Sequence, residues 1–316
     1  MHNILTLTLN PAIDFNIILP DTLSIGKVNR AVKSFKTAGG KGINVASYLS
    51  DMGLKNITVT GYLGIENAHY FKEHFTNKDL LDQFIYYHGY TRENVKIVEN
   101  KVSITTDINL ESSYINKPSI QQLEDLIENT SYQKDYYLFS GSVPKWIDNS
   151  IYLKLGKILK EKNKKIIIDS SGIPLKMALE LPPFAIKPNL DEFYELYGYT
   201  SDIKNILKNI DMLLNSGIEY VLLSMGSNGA ILATKYGKIK AKGNLSRLVT
   251  SVGAGDAFLS GFIYGIINNY HLKDLAIFST ASSLALLESP NRSVPGAQSI
   301  YNNYYKNITL EEIKTY

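Results

Sequence analysis

The stretch Thr250-Ser251-Val252-Gly253-Ala254-Gly255-Asp256-Ala257-Phe258 sets small residues and a carboxylate at the start of a helical pattern. That pattern continues through Leu259, Phe262, Ile263 and Ile266. A helix N-terminus leaves backbone N–H groups unpaired and carries the positive end of the helix dipole. Gly253, Ala254 and Gly255 let those amides approach a ligand closely, which suits an anion that gains charge as it reacts. Asp256 stands where a carboxylate can take a proton from an attacking hydroxyl. An anion hole and a base in one turn match the needs of phosphoryl transfer to a hydroxyl. Taken alone, the same residues also describe a glycine-rich turn capped by an aspartate.

Further segments present chemistry of the same kind. In Thr37-Ala38-Gly39-Gly40-Lys41-Gly42-Ile43-Asn44-Val45-Ala46, glycines precede a helix start and Lys41 and Asn44 project from the turn. The spacing is not that of a P-loop, so Lys41 reads as a holder of a substrate phosphate or hydroxyl, or as a solvated lysine. Asn10-Pro11-Ala12-Ile13-Asp14 follows the first apolar run. There Asp14 can accept hydrogen bonds from sugar hydroxyls, or close an Asx turn. Arg92, in Thr91-Arg92-Glu93-Asn94-Val95-Lys96, can grip a phosphate bidentately or sit on an edge strand as an ordinary surface arginine. Ser224-Met225-Gly226-Ser227-Asn228-Gly229-Ala230 lets the backbone approach a nucleotide, or forms a hairpin turn. Lys187-Pro188-Asn189-Leu190-Asp191-Glu192 ends another apolar run. Asn189 and Glu192, three apart, can orient Mg²⁺ and its waters, or form a capping box. His2, His69, His74, His88 and His271 have no metal-ligand spacing and read as structural, and Trp146 reads as packing.

These residues need elements to hold them. Apolar runs at 4–9, 57–63, 136–139, 166–168 and 220–223 read as strands, and 43–52, 70–75, 151–159, 203–214, 257–267 and 275–287 read as helices. Their alternation predicts a parallel sheet covered by helices on both faces. Two regions break the rhythm: 15–19 with 28–36, and 82–97 with 102–110, read as strands with no helix between them. They predict a small separate β-sheet able to cover a site and exclude water. The residues after Arg292 show no clear pattern.

Bulk properties narrow the class. The 316 residues carry 33 basic and 30 acidic side chains, a balance that argues against nucleic acid as partner. Cysteine is absent, which excludes disulfides, thiolate catalysis and Cys-based zinc sites. The opening residues read as a strand and not as a signal peptide, and no apolar stretch approaches a membrane span. A cytoplasmic enzyme is expected. A dinucleotide-dependent dehydrogenase is not, because no GxGxxG follows the first strand.

The segments Asn10–Asp14, Gly39–Ala46, Lys187–Glu192, Ser224–Ala230 and Thr250–Phe258 occur in the order found in PfkB-type carbohydrate kinases, and the chain resembles that ribokinase-like family from Leu5 to about Leu284. The resemblance implies one kinase domain over 1–316, with a three-layer α/β/α core and a β-sheet lid formed by insertions at about 14–36 and 86–110. It implies ATP and Mg²⁺, and a homodimer made through the lid. It makes Asp256 the catalytic base and Gly253, Ala254 and Gly255 the anion hole. Asp14, Gly39, Gly40, Lys41, Asn44, Arg92 and Asn109 become substrate-side residues. Lys187, Ser224, Gly226, Gly229, Thr250 and Gly255 become nucleotide-side residues, with Asn189 and Glu192 acting on the metal through water. Arg92–Lys96 and Ser103–Asn109 resemble the hexose-phosphate kinases of the family. The implied acceptor is fructose 1-phosphate, with tagatose 6-phosphate as the alternative. Further alternatives are a kinase for an unphosphorylated sugar or nucleoside and a non-catalytic sugar-phosphate sensor. The chain departs from the family at Leu110-Glu111-Ser112-Ser113, where relatives carry a Gly-Pro-rich turn, and at Lys145-Trp146. Glu111 puts a negative charge on the expected phosphate side.

Overall fold

In the computed structural model, which describes residues 3–99, 101, 104–112, 120–200 and 202–313, the apolar runs become neighbouring strands of one sheet. Ser103 and Ser113, within two of the segments above, lie outside the described residues. The chain opens with β1 (Ile4–Thr8), β2 (Ala12–Leu19) and β3 (Lys33–Gly39), then α1 (Lys41–Asp51), β4 (Thr58–Gly64) and α2 (His69–Asn77). Four strands follow: β5 (Leu81–Asp82), β6 (Ile85–Tyr87), β7 (Glu93–Glu99) and β8 (Ile104–Asn109). After them come α3 (Ile120–Thr130), β9 (Tyr136–Ser140), α4 (Ile151–Glu161), β10 (Lys165–Asp169) and α5 (Gly172–Ala178). Next are β11 (Ala185–Ile186), α6 (Leu190–Tyr197), α7 (Ile203–Asn215), β12 (Tyr220–Ser224), β13 (Ala230–Thr234) and β14 (Gly237–Gly243). The chain closes with α8 (Ala254–Ile267), α9 (Leu272–Leu287), α10 (Ala297–Tyr304) and β15 (Ile308–Ile313).

The large sheet has the order β15-β14-β13-β12-β11-β10-β9-β1-β4-β5, with β6 also paired to β4. From β12 to β5 every pairing is parallel. The strands β13, β14 and β15 are antiparallel, which corrects the expectation of a wholly parallel sheet. The cause is local. The Gly226–Gly229 turn and the two-residue link Lys235-Tyr236 are too short for a crossover, so the chain must fold back on itself. β15 then closes this edge from the segment after Arg292 that showed no pattern.

Alternation of side chains divides the core into two layers. Ile4, Val59, Leu138, Ile167, Leu222 and Leu232 face α1, α2, α8 and α9 through Val45, Phe71, Leu259, Phe262 and Leu275. Leu5, Leu7, Phe139, Ile168 and Leu223 face the opposite layer through Ile127, Leu155, Leu175, Phe193 and Ile210 of α3 to α7. The result is the expected three-layer α/β/α arrangement. Tyr48, Ala257, Phe278 and Ile300 join α10 to the outside of the first layer.

A second sheet of four strands has the order β3-β2-β7-β8. Its first strand springs from the carboxyl end of β1 after only three residues, and Ile13 donates its N–H to the Arg92 carbonyl at 2.9 Å. Two expectations shift here. Residues 28–32 are not strand, and β3 begins at Lys33. The 82–97 stretch divides, with Leu81–Asp82 and Ile85–Tyr87 extending the large sheet and only Glu93–Glu99 joining the second one. The wide polar content of 88–92 marks that break, and Gly89 turns the chain at φ 131°.

Candidate active site

The carboxyl ends of β1, β9, β10, β11 and β12 converge where α8 begins, the usual ligand crevice of an open α/β sheet. Gly253 caps α8 in the left-handed region at φ 87°, and a Cβ there would lie 2.7 Å from the Tyr48 hydroxyl. Only glycine fits both demands. Asp256 sits in the first turn, 8% exposed, and accepts a hydrogen bond from Asn44 Nδ2 at 2.8 Å. Burial, then the neighbouring Asp169 carboxylate, pushes its pKa up to about 6, against the pull of Asn44, Lys41 and Lys187. That value lies just below neutral pH, which leaves the carboxylate ionised and basic enough for a general base.

Beside it lies a buried ion cluster. Asp169, fully buried at the end of β10, accepts from Lys187 Nζ at 3.0 Å and from Lys41 Nζ at 3.3 Å. Burial alone would raise the Asp169 pKa, but the two lysines hold it below the usual carboxylate range. Lys41 also reaches Glu192 Oε1 at 3.5 Å. Burial pulls its ammonium down, but Asp169, Glu192 and Asp256 together hold it above the ordinary lysine value. Lys187 Nζ stands 3.6 Å from the position a Cβ would take at Gly255, so its charge overlooks the α8 amides.

Asn189 and Glu192 form the capping box that their spacing allowed: Asn189 Oδ1 accepts the Glu192 N–H at 2.8 Å and Glu192 Oε2 accepts the Asn189 N–H at 2.9 Å. Asn189 also bridges to Ser224, and Ser224 donates its N–H to the Pro188 carbonyl at 3.0 Å. Gly226 and Gly229, both at positive φ, make the turn into β13. Thr250 lies in the exposed approach to α8 and donates its N–H to the Leu287 carbonyl at 3.1 Å.

A second group gathers at the root of the second sheet. Asp14 Oδ1 accepts from Asn94 Nδ2 at 3.2 Å, and Oδ2 is 3.6 Å from Lys96 Nζ. Burial raises the Asp14 pKa, with Lys96 and Asn94 opposing. Gly39 abuts this carboxylate: a Cβ there would lie 2.9 Å from Asp14 Oδ2. Gly40 is the N-cap of α1, directly before Lys41. The Arg92 guanidinium is held by backbone carbonyls of Asn10 at 3.1 Å, Pro11 at 3.3 Å and Leu110 at 2.9 Å. It lines a cavity of about 550 Å³ with Asn10, Asn109, Ser142, Lys145 and Trp146. The departures at Glu111 and Lys145 meet in an ion pair on this same cavity. Both side chains are exposed, so the pair only partly offsets the Glu111 charge.

Among the described residues, Lys41 and Asn44 share no hydrogen-bond partner with Arg92. Their contacts are Asp169, Glu192 and Asp256, whereas Arg92 holds backbone carbonyls and Asn94. The first turn of α1 sets Asn44 against Asp256 at the start of α8, and Lys41 between Asp169 at the end of β10 and Glu192 in α6. Sequence reasoning placed Asn94 and Lys96 in a segment resembling the hexose-phosphate kinases but gave neither of them, nor Asp169, a contact of its own. A lone carboxylate ending an apolar strand was the available signal for Asp169. For the others it was the period-two spacing of 92, 94 and 96.

The pfkB family carbohydrate kinase model matches residues 10–296. The chain belongs to this family. It is 34% identical over 284 residues to a 1-phosphofructokinase of Borreliella burgdorferi, covering 89% of this chain and 91% of that protein. It is 30% identical over 292 residues to a tagatose-6-phosphate kinase of Staphylococcus epidermidis, covering 90% of this chain and 92% of the other. The crystal structure of a Thermotoga maritima protein described as a possible 1-phosphofructokinase superposes with a TM-score of 0.88 at 26% identity, covering 99% of this chain and 100% of that one. Among the described residues, no helix is long and apolar enough to cross a membrane.

Proposed function

We propose that this protein transfers the γ-phosphoryl group of ATP to the C6 hydroxyl of fructose 1-phosphate, giving fructose 1,6-bisphosphate and ADP. The observation that carries this reading is the Asp256 carboxylate, buried and raised to about 6, in the same turn as the Gly253–Gly255 amides and under Lys187. Asp256 takes the proton of the acceptor hydroxyl, whose oxygen bonds to the γ-phosphorus as the bond to the β-phosphate oxygen breaks. The α8 amides and Lys187 stabilise the charge on the transferring group. The turn at Ser224, Gly226 and Gly229, with Thr250, lines the nucleotide side. Intact base and glycines favour an enzyme over a sensor, since pure binding needs no base.

Asp14, with Asn94 and Gly39, receives the sugar hydroxyls, and Arg92 with Asn109 receives the existing phosphate. Mg²⁺ fits the donor set through water. Glu192 keeps Oε1 outside its cap, and magnesium commonly takes one or two carboxylates while phosphates and waters supply the rest. Among the described residues no three His, Cys, Asp or Glu side chains group to enclose a bare ion. When bound, the ion supplies charge neutralisation to the phosphates. ATP and sugar phosphates are cytoplasmic metabolites, which puts the enzyme in that compartment.

The second sheet serves as the lid in this reading and as a dimer face. Ile25, Val28, Val32, Ile104 and Ile108 are exposed on its strands and on the β2–β3 connection. An isologous pairing would cover them in both copies. Sedimentation velocity should give the mass of two chains, and Ile108→Lys should shift it to one. A monomer in the unaltered protein would remove the dimer.

The substrate is tested by ADP release with ATP and Mg²⁺ on fructose 1-phosphate, fructose 6-phosphate, tagatose 6-phosphate and fructose. Preference for fructose 1-phosphate is expected; the Staphylococcus relative makes tagatose 6-phosphate the second reading. Arg92→Ala should raise KM for the sugar phosphate by about one to two orders of magnitude, the size of a lost charged contact. An unchanged KM would remove Arg92 from the phosphate site.

A further inference from the structure

Arg292 occupies the left-handed region at φ 50°, a conformation that non-glycine residues adopt only when the surroundings enforce it. Its guanidinium leaves the loop after α9 and donates from Nη1 to Asn16 Oδ1 at 2.9 Å, across 276 residues of chain. Asn16 is fully buried in β2 and donates in turn to the Asp14 carbonyl at 2.9 Å and to Thr37 Oγ1 at 3.3 Å. Asn16 and Asp14 lie two residues apart and so share one face of the strand. The charge of Arg292 also acts on the Asp14 carboxylate and on the Tyr48 hydroxyl, the group that abuts Gly253.

The loop that carries Arg292 is anchored at the anion-hole end. The Leu287 carbonyl accepts the N–H groups of Val249 and Thr250 at 2.8 and 3.1 Å. Glu288 Oε1 accepts both the Ser246 N–H at 2.8 Å and its hydroxyl at 2.6 Å. One short loop therefore holds the approach to α8 with its first residues and the Asp14 strand with Arg292.

We propose that Arg292 is a positioning residue that ties the sugar-binding face of β2 to the loop leading into α8, setting Asp14 relative to Asp256. This rests on the reading of Asp14 as a sugar-hydroxyl acceptor. In this role Arg292 acts through Asn16. The strained backbone is the cost of aiming a long cation from a tight turn at an otherwise unpaired buried amide oxygen.

Initial rates of Arg292→Gln, Arg292→Lys and Arg292→Gly test this, with hydrogen exchange on the same proteins. Arg292→Gln should raise KM for fructose 1-phosphate about tenfold, the scale of one charge-assisted hydrogen bond, with KM for ATP within twofold. Arg292→Lys should recover part of that loss. Arg292→Gly relieves the left-handed strain but also strands the Asn16 amide oxygen, so it should be more stable than Arg292→Gln while losing sugar affinity to the same extent. Adding Arg292→Gln to Asn16→Ala should cost little further sugar affinity, because Asn16→Ala has already removed the oxygen that Arg292 holds. Amides of β2 should exchange about tenfold faster in Arg292→Gln, by the same reckoning. Sugar KM within twofold of the parent, or equal rises in both KM values, would overturn the proposal. If the parent enzyme itself turns over no sugar phosphate, the substrate reading fails instead. The exchange of β2 then decides the Arg292 tie, and an unchanged β2 overturns it.

Discussion

Asp256→Asn is expected to lower kcat by about three orders of magnitude, as loss of a general base commonly does. ATP binding should stay within a few-fold of the parent, because the α8 amides and Lys187 are untouched. The variant keeps an acceptor for Asn44 Nδ2, so the 2.8 Å contact survives. Stability offers a control with a definite sign. A carboxyl whose folded pKa is raised contributes its stability below the unfolded value and loses it as pH rises through the folded one. Asparagine carries no such penalty, so at pH 8 the variant should be at least as stable as the parent. The parent's kcat/KM should fall about tenfold per unit below pH 6, where Asp256 takes up its proton, and level off above it. Equilibrium ATP binding, single-turnover rates and a pH profile check all three. Near-normal turnover in Asp256→Asn, or a flat profile from pH 5 to 8, would assign the base elsewhere.

Lys187→Met should be the most damaging single change to stability in the site. Two terms compete. Methionine fills much of the lysine stem's volume and needs no solvation, which favours the variant. Against this, Asp169 is fully buried and loses its nearest cation at 3.0 Å, leaving Lys41 at 3.3 Å as its counter-ion. Removing one partner of a buried ion pair costs about 3 kcal/mol or more, so the uncompensated carboxylate wins. Urea unfolding should show this as a lower midpoint at an unchanged slope. The double variant Lys187→Met with Asp169→Asn should recover much of that loss, because the stranded charge is gone. Neither should recover turnover: with no cation over Gly255, kcat should fall about 10²-fold or more. Full stability in Lys187→Met alone would mean that Lys41 suffices for Asp169.

The cluster also explains how one chain can hold the Asp169 pKa below the usual carboxylate range and raise that of Asp256 to about 6. Both carboxylates are buried, but the lysines lie against Asp169 whereas, among the described residues, the Asp256 carboxylate has only the amide of Asn44 in hydrogen-bond contact. The ionised Asp169 then pushes its neighbour's pKa upward. Distance to the cations, not residue type, separates the two roles.

What the sequence by itself determined is the local physics. Glycines before a helical pattern specify the α8 turn, because only they allow its left-handed cap and exposed amides; Asp256 and the Asn189–Glu192 box follow from helix-end chemistry. Short apolar runs alternating with amphipathic ones determine the layered core, since each pattern can bury its face in only one way. The family pattern, five segments in order, was likewise legible from residues alone. The tertiary structure decided which of these residues meet. Lys41 and Arg92 both read as phosphate holders, but α1 carries Lys41 to Asp169, a partner 128 residues away, and β7 begins only after Arg92. Lys96 at Asp14, and Arg292 at Asn16, have no local signature, because the first contact exists only once β7 pairs with β2 and the second only once the loop after α9 meets that sheet. The antiparallel edge was equally hidden: β15 is recruited across the chain to β14, and a strand at an edge needs no strong pattern of its own. Spacing along the chain sets what each segment can be, whereas pairing between distant segments is a property of the packed whole, and the charges that tune Asp256 belong to that pairing.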